Sequence, residues 1–490
     1  MDIHAIREKI LAAKEKRAVL RAQHAAAGKA CLSLSLNIPG LPKSSPQFST
    51  FFECVLSELQ QYLTARRIFI DSAHELCTRD AAGDFYLAAL AEGNPITQHI
   101  KAQCEGFEAS HPIGRAIDID LTDCEGRPVS SGKLKPCFLC DQPALVCMRE
   151  RHHSYQDLRE ELSTRITNYL KKQREDALCK RLSATALQAA LYEISASPKP
   201  GLVDRFDTGA HQDMDYFSFL KSSAALAVYF EDFARAGIAF EHDDLTAALP
   251  IIRDSGLHME NAMFKATGGA NTHKGLIFLL GLSIFATSFV LNRRETFDEA
   301  DVQKTIAGIC RNLVRNELNG QSHASSHGAQ CFQLYGRVYG GARQEAEEGF
   351  PSVFKCGLPA LTHSLLTAGN IVDASTLNSA LIDTLLSLMA QVNDTNILYR
   401  ATPEILMKVK HMAAHVLNAL SDDDKSSRYA ELLDFCRQHQ ISPGGSADLL
   451  VVSVFFYLVK EACSQGLGAY NSQSALSDTP KTDESQRTVP

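Results

Sequence analysis

The chain has 490 residues, of which 45% are hydrophobic and 22% are charged, as in ordinary globular proteins. This length exceeds what one hydrophobic core normally fills, so we expect two domains. The formal net charge of −8 argues against a nucleic-acid-binding protein that relies on phosphate contacts, although a local basic pocket can still bind a small anion.

Targeting signals are not evident. Residues 1–20 are charged and have no apolar core of the kind that a signal peptide needs. The longest apolar run, Leu276–Leu291, is shorter than a membrane span of about 20 residues and contains Gly281 and Ser283, so we interpret it as a buried core helix. Fourteen cysteines without a secretory signal indicate reduced thiols. We therefore expect a cytoplasmic protein with no membrane partner.

The first third of the chain mixes helical and strand patterns. Apolar and polar residues alternate over Cys31–Ile38, which predicts a half-buried strand. The other predicted elements are helices over 1–28 and 48–66 and short strands over 67–72 and 84–91. We expect residues 1–180 to form an α+β domain.

The most informative strand is predicted at His111–Leu121. Its alternation places the aliphatic residues on a core face and Asp118 and Asp120 together on the other face. Two such carboxylates can hold one Mg²⁺, which prefers oxygen ligands and bridges phosphates, and Arg115 can bind a phosphate through two N–H groups. An edge strand with a solvated acidic face is the alternative.

A cysteine-rich segment follows. Cys137, Cys140, Cys147 and His153 are the ligand types of a structural zinc site. Their spacing matches no standard zinc finger, so a rigid turn with a buried thiol cluster is the alternative.

The rest of the chain is predicted to be helical. From Ser154 to Ala190 no glycine or proline linker occurs, which places the domain boundary at a helix end near 177–182. Residues 181–464 predict a larger all-α domain, and residues 465–490, rich in polar residues, predict a disordered tail. The clearest predicted helices cover 220–236, 246–254, 272–291, 298–318, 378–392, 403–420 and 447–463.

The connection Ser197–Asp215 is unusually rich in proline, glycine and charge. A helix beginning near His211 would put His211 and Asp215 one turn apart, with Asp213 in the first turn. This cluster predicts a cation or polyphosphate site. Helix capping by aspartate is the alternative.

Four further groups of polar helix ends could line a ligand pocket in a helical bundle. In Gly268–Gly275, Thr272 is a predicted N-cap, so the free amides and Lys274 can attract an anion, although a simple glycine turn is the alternative. Residues 336–351 predict a solvated helix face, and Asp394 and Asp448 are each explained as helix caps.

These motifs carry a resemblance to two families. The first third resembles the holo-citrate lyase synthase family, also called apo-citrate lyase phosphoribosyl-dephospho-CoA transferase, through Pro39-Gly with Lys43, residues 111–120, and Cys137, Cys140, Cys147, Arg149 and His153. Residues 195–215, 268–275, 341–351, 394–396 and 442–449 resemble the triphosphoribosyl-dephospho-CoA synthase family. In this order the motifs resemble the fused, bifunctional form.

The resemblance implies two consecutive reactions. The C-terminal part would join ATP to 3′-dephospho-CoA, releasing adenine and giving 2′-(5″-triphosphoribosyl)-3′-dephospho-CoA. The N-terminal part would transfer phosphoribosyl-dephospho-CoA to a serine of the acyl-carrier (gamma) subunit of citrate lyase, releasing diphosphate. In that transfer Asp118 and Asp120 would hold Mg²⁺, while Arg115 and Arg149 would bind phosphates.

For the first reaction we expect phosphate clamps, a base and a proton source for adenine. Lys199, Arg205, His273 and Lys274 are the candidates for phosphate and proton handling, and His211 is a further catalytic candidate. Asp204, Asp213 and Asp215 are candidates for Mg²⁺ ligation, with one as base. The nucleotide-binding candidates are Gly268, Asn271, Gly275, Arg400, Gly444 and Gly445.

Two other functions fit the sequence. The nearest alternative is that the chain carries out the equivalent steps for the malonate decarboxylase carrier, because Asp118 and Asp120 do not identify the carrier. A zinc-holding interaction module on a helical scaffold, without chemistry, belongs to a different class.

Overall fold

The computed structural model describes residues 3–465 apart from 131, 133, 141, 295, 319–326, 368 and 370–372. The chain forms two compact units, one ending at Arg174 and the other beginning at Glu175. This division falls inside one continuous helix, Tyr155–Ser195, so the expected helix end near 177–182 is wrong. No glycine or proline interrupts the helix there. The predicted tail lies outside the described residues from 466 onward.

The first unit contains an antiparallel sheet and helices, which confirms the α+β prediction. The strands follow the spatial order β2-β3-β1-β4-β5. They are β1 (Cys31–Leu36), β2 (Ile70–Asp80), β3 (Gly83–Leu90), β4 (Ile117–Thr122) and β5 (Pro128–Val129). The helices are α1 (Ile3–Ala26), α2 (Pro46–Ala65), α3 (Thr97–Ser110), α4 (Ala144–Glu150) and α5 (Tyr155–Ser195).

The two faces of this sheet differ in character. One face carries the aliphatic residues of β1 and β4 and packs with apolar residues of α2, α3 and α5 into a single core. On the other face Leu20 of α1 packs against Cys31, Phe85 and Leu87. Asp118 pairs with Ser35 and Asp120 with Ser33 across β1 and β4. Because directly opposite residues share a face, the two aspartates lie on the face that α1 partly covers.

Strand β4 is an inner strand, so the edge position in the alternative is wrong, although both aspartates are accessible to solvent as that alternative expected. It pairs with β1 on one side and with the short β5 on the other. Beyond the short β5 pairing, α3 satisfies the backbone of Ile119: Lys101 Nζ donates to its carbonyl oxygen at 2.8 Å, and its amide donates to Glu108 Oε1 at 2.8 Å. The acidic strand is therefore held on both sides.

The second unit is helical throughout its described residues, as predicted. After α5 its helices are α6 (Tyr216–Ala227), α7 (Phe230–Ala239), α8 (Ala248–Thr267), α9 (Lys274–Arg294), α10 (Glu299–Ile309), α11 (Leu313–Glu317), α12 (His327–Tyr335), α13 (Gly341–Glu347), α14 (Leu358–Thr367), α15 (Ala374–Gln391), α16 (Thr395–Arg400), α17 (Pro403–Leu417), α18 (Asp422–Gln438) and α19 (Gly444–Ser464). Short 3₁₀ turns cover Leu245–Ala247 and Arg337–Tyr339, and a π-helical turn covers Val353–Gly357. Residues 220–236 and 298–318, predicted as single helices, are each divided into two.

Helix α9 is the core helix of this unit. Within the described residues it is the one helix whose length and composition would allow it to cross a membrane, but most of it is buried by its neighbours. Its approach to α7 depends on two glycines. A Cβ on Gly237 would lie 2.4 Å from the Phe285 carbonyl oxygen, and one on Gly281 would lie 2.9 Å from the Phe233 ring.

We predict that Gly237→Ala lowers the free energy of unfolding of the second unit by about 1–3 kcal/mol, because the added methyl group has to separate α7 from α9. Gly256→Ala is the matched control, since its Cβ would meet only Ile277 Cγ2 at 3.6 Å and alanine favours the helix. Urea unfolding followed by circular dichroism measures both variants. Equal stability of the two would contradict the close packing of these helices.

Candidate active sites

The second unit contains a cavity of about 1010 Å³. It lies between the side of α8, the short helix α13 and the N-terminal ends of α9, α16 and α19. Four of the predicted residues line it, namely Asn271, Lys274, Gly275 and Gly445. Its volume is at the upper end of the range for small-molecule sites, about 300–1,000 Å³, which suits a large ligand.

Acidic groups outnumber basic groups in the cavity wall. The carboxylates belong to Glu260, Glu317, Glu345, Glu348, Asp394 and Asp448, and the cations to Arg253, Lys274 and Arg343. Lys274 lies 2.5 Å from Glu260, while Arg253 and Arg343 both contact Glu317. The carboxylates therefore hold the cations in fixed positions along the wall.

Asp448 is the carboxylate with the least support from hydrogen bonds. Among the described residues no donor contacts it, whereas burial, followed by the charges of Glu193 and Asp394, raises its pKa well above the usual value. Gly275 lies against it so closely that a Cβ there would be 2.1 Å from Asp448 Oδ2. Asp448 thus faces the cavity beside a backbone position that only glycine fits.

Asp394 combines a helix cap with a contact to a distant loop. Its Oδ1 accepts from the Asn396 amide at 2.9 Å, as expected of a cap. Its Oδ2 accepts from both the amide and the hydroxyl of Ser446, at 2.8 and 3.0 Å. This buried carboxylate therefore joins the start of α16 to the start of α19, where Gly445 leaves room for it.

The segment after α5 is organised around a buried ion pair. Lys199 Nζ lies 2.5 Å from Glu193 Oε1, and the two side chains are 1% and 6% exposed. Asp204 accepts from the Lys199 amide at 2.8 Å and also from the amides of Phe206 and Asp207. The predicted Mg²⁺ role does not fit Asp204, because backbone amides already occupy both carboxylate oxygens.

The helix expected near His211 begins at Tyr216 instead, so His211 and Asp215 do not share a helical face. Asp215 is its N-cap and accepts from the amide and hydroxyl of Ser218, which also fits Mg²⁺ poorly. His211 contacts the Ser442 hydroxyl at 2.9 Å, and exposed Asp213 lies 3.8 Å from its ring. This arrangement matches the capping alternative for Asp215.

The remaining candidates of this unit have mainly structural contacts. His273 is buried beside Ser222, 2.6 Å from its hydroxyl, and burial lowers its pKa to about 3, so the ring is neutral. Thr272 donates to Ser222, while Asn271 accepts from the Lys274 amide, so Asn271 takes the capping role predicted for Thr272. Arg205 is exposed and lies beside the Phe206 ring, and Arg400 donates to the Ala210 carbonyl oxygen. Gly268 is the C-cap of α8, and Gly444 packs against Asn396.

In the first unit, Asp118 and Asp120 share one face of β4, as predicted. Lys135 Nζ donates to Asp118 at 2.8 Å. The pKa of Asp120 is raised by desolvation and then by the Asp118 charge, although its side chain remains accessible to solvent. Ser33 and Ser35 face the two aspartates across the strand pair. The two carboxylates present oxygen ligands of the kind that Mg²⁺ prefers.

Arg115 lies beside this surface in a partly desolvated position. Its Nε donates to the Pro136 carbonyl, and its guanidinium stacks 4.5 Å from the centre of the Phe138 ring. Its Nη1 is buried and has no partner among the described residues, which leaves an N–H group for an anion. Arg149 is exposed on α4.

Several lining residues were not predicted from the sequence. Arg253, Glu260 and Glu317 follow no motif, and Arg343 and Glu345 were assigned to a solvated helix face. Glu345 is half-buried, and this burial raises its pKa. The Ser352 hydroxyl donates a hydrogen bond to it. Lys135 was not predicted to contact Asp118. The sequence did offer one signal for such residues: an acidic residue at a position of an otherwise apolar helical pattern, as at Asp448.

Comparison with known families shows what kind of protein this chain is. Residues 179–466 match ATP:dephospho-CoA triphosphoribosyl transferase, CitG. Residues 6–169 match apo-citrate lyase phosphoribosyl-dephospho-CoA transferase, CitX. The chain belongs to both families, fused in one polypeptide. It is therefore a bifunctional transferase of citrate lyase prosthetic-group biosynthesis, and the non-catalytic alternative is wrong.

Two similar proteins align with most of this chain, and a third aligns with about half of it. "Protein CitXG" of Leuconostoc mesenteroides subsp. cremoris is 30% identical over 440 residues, which cover 86% of this chain and 90% of that protein. "Protein CitXG" of Haemophilus influenzae is 28% identical over 466 residues, covering 92% and 95%. A probable 2-(5″-triphosphoribosyl)-3′-dephosphocoenzyme-A synthase of Lactiplantibacillus plantarum is 37% identical over 277 residues, covering 56% of this chain and 95% of that protein.

We predict that Lys199→Met lowers the free energy of unfolding by about 3–5 kcal/mol, because Glu193 is left as an unpaired buried charge. Replacing both Glu193 and Lys199 by methionine should regain most of this loss. Exposed Lys221→Met is the control and should change stability by less than about 0.5 kcal/mol. Urea unfolding tests the series. Unchanged stability of Lys199→Met with lost activity would instead favour a direct phosphate contact.

We predict that Asp448→Asn becomes more stable, relative to the unaltered chain, as the pH rises. Folding raises the pKa of Asp448 above its ordinary value of 3.8, so the folded state retains a proton that the unfolded chain releases. The free energy of unfolding therefore falls as the pH rises above that value, and asparagine removes this loss. Urea unfolding between about pH 4 and about pH 8 measures the effect. Exposed Asp423→Asn should show no such trend.

Proposed function

We propose that the cavity of the second unit binds ATP, as its Mg²⁺ complex, together with 3′-dephospho-CoA. The size of the cavity and its three fixed cations support this proposal. A wall with more carboxylates than cations would repel a bare polyphosphate, and a divalent cation that arrives with the nucleotide removes the repulsion. Lys274, Arg253 and Arg343 then bind the phosphate oxygens.

The chemistry at this site needs two proton transfers. The 2′-hydroxyl of dephospho-CoA attacks the anomeric carbon of ATP, the glycosidic bond breaks, and adenine leaves. Asp448, whose raised pKa favours the protonated form, donates a proton to the departing adenine. Glu345, held by Ser352, accepts the proton of the attacking hydroxyl. The single observation that carries this assignment is the desolvated, unpaired Asp448 at the cavity wall.

For the first unit we propose transfer of phosphoribosyl-dephospho-CoA to a serine of the gamma subunit of citrate lyase. Asp118 and Asp120 would hold Mg²⁺, which neutralises charge on the reacting phosphates and the leaving diphosphate. Arg115 donates its free N–H group to a phosphate oxygen, and stacking on Phe138 keeps the guanidinium oriented. Lys135 positions Asp118. None of the fourteen cysteines forms a disulfide, which supports a cytoplasmic location.

We predict that isosteric substitutions separate the two reactions. Asp448→Asn should lower adenine release by about 10²–10⁴-fold, because amide groups do not transfer protons, and should still modify the carrier when given the purified intermediate. Asp118→Asn should release adenine and accumulate the intermediate while the carrier stays unmodified. Mass spectrometry of the apo-carrier and chromatography of adenine measure both steps, with ATP, dephospho-CoA and Mg²⁺ present.

Asp215→Asn distinguishes this assignment from the one that the sequence suggested. Asparagine also caps helices, so we expect adenine release within about twofold of the unaltered chain. Loss of adenine release in Asp215→Asn, with Asp448→Asn active, would contradict the proposal.

A further inference from the structure

Four ligand-type side chains converge in the first unit, apart from the acidic pair. The thiols of Cys137, Cys140 and Cys147 and one ring nitrogen of His153 all lie within 4.8 Å of one another. Within the described ranges this is the one set of three or more His, Cys, Asp or Glu residues whose ligand atoms meet in this way. The transfer chemistry makes no use of them.

The backbone brings these residues together by three local devices. The Cys137 amide donates to the Gln142 carbonyl at 2.8 Å and the Ala144 amide to the Lys135 carbonyl at 3.0 Å, which closes a turn. Helix α4 begins directly after this turn and carries Cys147. At its end Arg151 adopts a left-handed conformation, with φ of 52°, and the chain returns His153 towards the thiols.

The distances fit a tetrahedral metal site. Zinc–sulfur bonds of about 2.3 Å at tetrahedral angles place two sulfurs about 3.8 Å apart. Cys147 Sγ lies 3.4 Å from Cys137 Sγ and 4.0 Å from Cys140 Sγ. Bonded disulfide sulfurs are about 2.05 Å apart, so no disulfide is present.

A second observation points to a ligand. His153 Nε2 is buried and has no hydrogen-bond partner among the described residues, a costly state for a polar atom. The neighbouring His152 differs, since its Nε2 lies 2.7 Å from Glu150 and the side chain is 45% exposed. Of two adjacent histidines, only the one beside the thiols lacks a partner for this atom.

We propose that Cys137, Cys140, Cys147 and His153 bind one Zn²⁺ ion in a closed, structural site. Three thiolates and one imidazole select zinc over Mg²⁺ or Ca²⁺, which prefer oxygen ligands. Four protein ligands leave no open position for water, so the ion stabilises the fold and performs no chemistry of its own.

The ion would fix the segment that supports the acidic pair. Lys135, which contacts Asp118, and Pro136 and Phe138, which hold Arg115, all lie within three residues of Cys137. Loss of zinc would therefore loosen Arg115 and Lys135 together. This consequence for transfer rests on the proposed function, whereas zinc binding itself does not.

The test is metal analysis of the full chain, purified with reductant and equilibrated with Zn²⁺. We expect about one zinc per chain by mass spectrometry and, after exchange with Co²⁺, the visible absorption of a tetrahedral thiolate complex. Cys147→Ser and His153→Ala should lower zinc affinity at least about tenfold. The matched controls, Cys124→Ser at an exposed cysteine and His152→Ala, should keep one zinc per chain.

If Cys147→Ser does not fold, the Co²⁺ spectrum of the unaltered chain and the two histidine variants still decide the question. A reduced, unaltered chain that takes up no zinc would overturn the proposal, as would full zinc content in His153→Ala. A disulfide between Cys137 and Cys147 in peptide maps of the reduced, zinc-equilibrated chain would also overturn it. Zinc binding as expected, with unchanged carrier modification in His153→Ala, would overturn only the link to transfer.

Discussion

The second unit depends on how this protein accommodates charged side chains away from water. A buried charge is tolerated only when it is paired or neutralised. Lys199 and Glu193 solve this by pairing at 2.5 Å, and the pair fixes the end of α5 relative to the segment that follows. Burial, and after it the charges of Glu193 and Asp394, raises the pKa of Asp448, which has no partner of its own among the described residues. The buried pair thus supports the fold, and the carboxyl group near it is the one that we propose for proton transfer.

The two proposed sites are built by different means. In the first unit a single strand presents two carboxylates side by side, and the backbone of that strand is satisfied on both edges, by β1 and by the side chains of α3. The site is therefore built on one rigid element. In the second unit the cavity collects single residues from the ends of many helices, and each cation is held by a neighbouring glutamate. Such a site depends on helix packing, and the close contact of Gly275 with Asp448 illustrates how little space remains.

The same chemical group serves different purposes according to its surroundings. The carboxylates of Asp215 and Asp204 accept hydrogen bonds from backbone amides. Asp394 does the same and also joins two helices. Asp448 has no such contacts and faces the cavity. A sequence pattern does not distinguish these cases, because capping and catalysis use the same residue type at the same kind of position, the start of a helix. Only the partners of each oxygen separate them.

The sequence by itself determined the features that depend on local periodicity and spacing. Alternation placed Asp118 and Asp120 on one face of a strand, a long apolar run predicted the core helix α9, and closely spaced cysteines indicated a possible cluster. The family resemblance, carried by short motifs, indicated the two activities. The tertiary structure alone decided which helix ends meet, since Gly275 and Asp448 are brought into contact by packing between α9 and α19. It also decided that Lys199 is buried against Glu193 and that Asp215 caps a helix. Periodicity specifies the faces of one element, whereas the convergence of distant residues depends on how all the elements pack together.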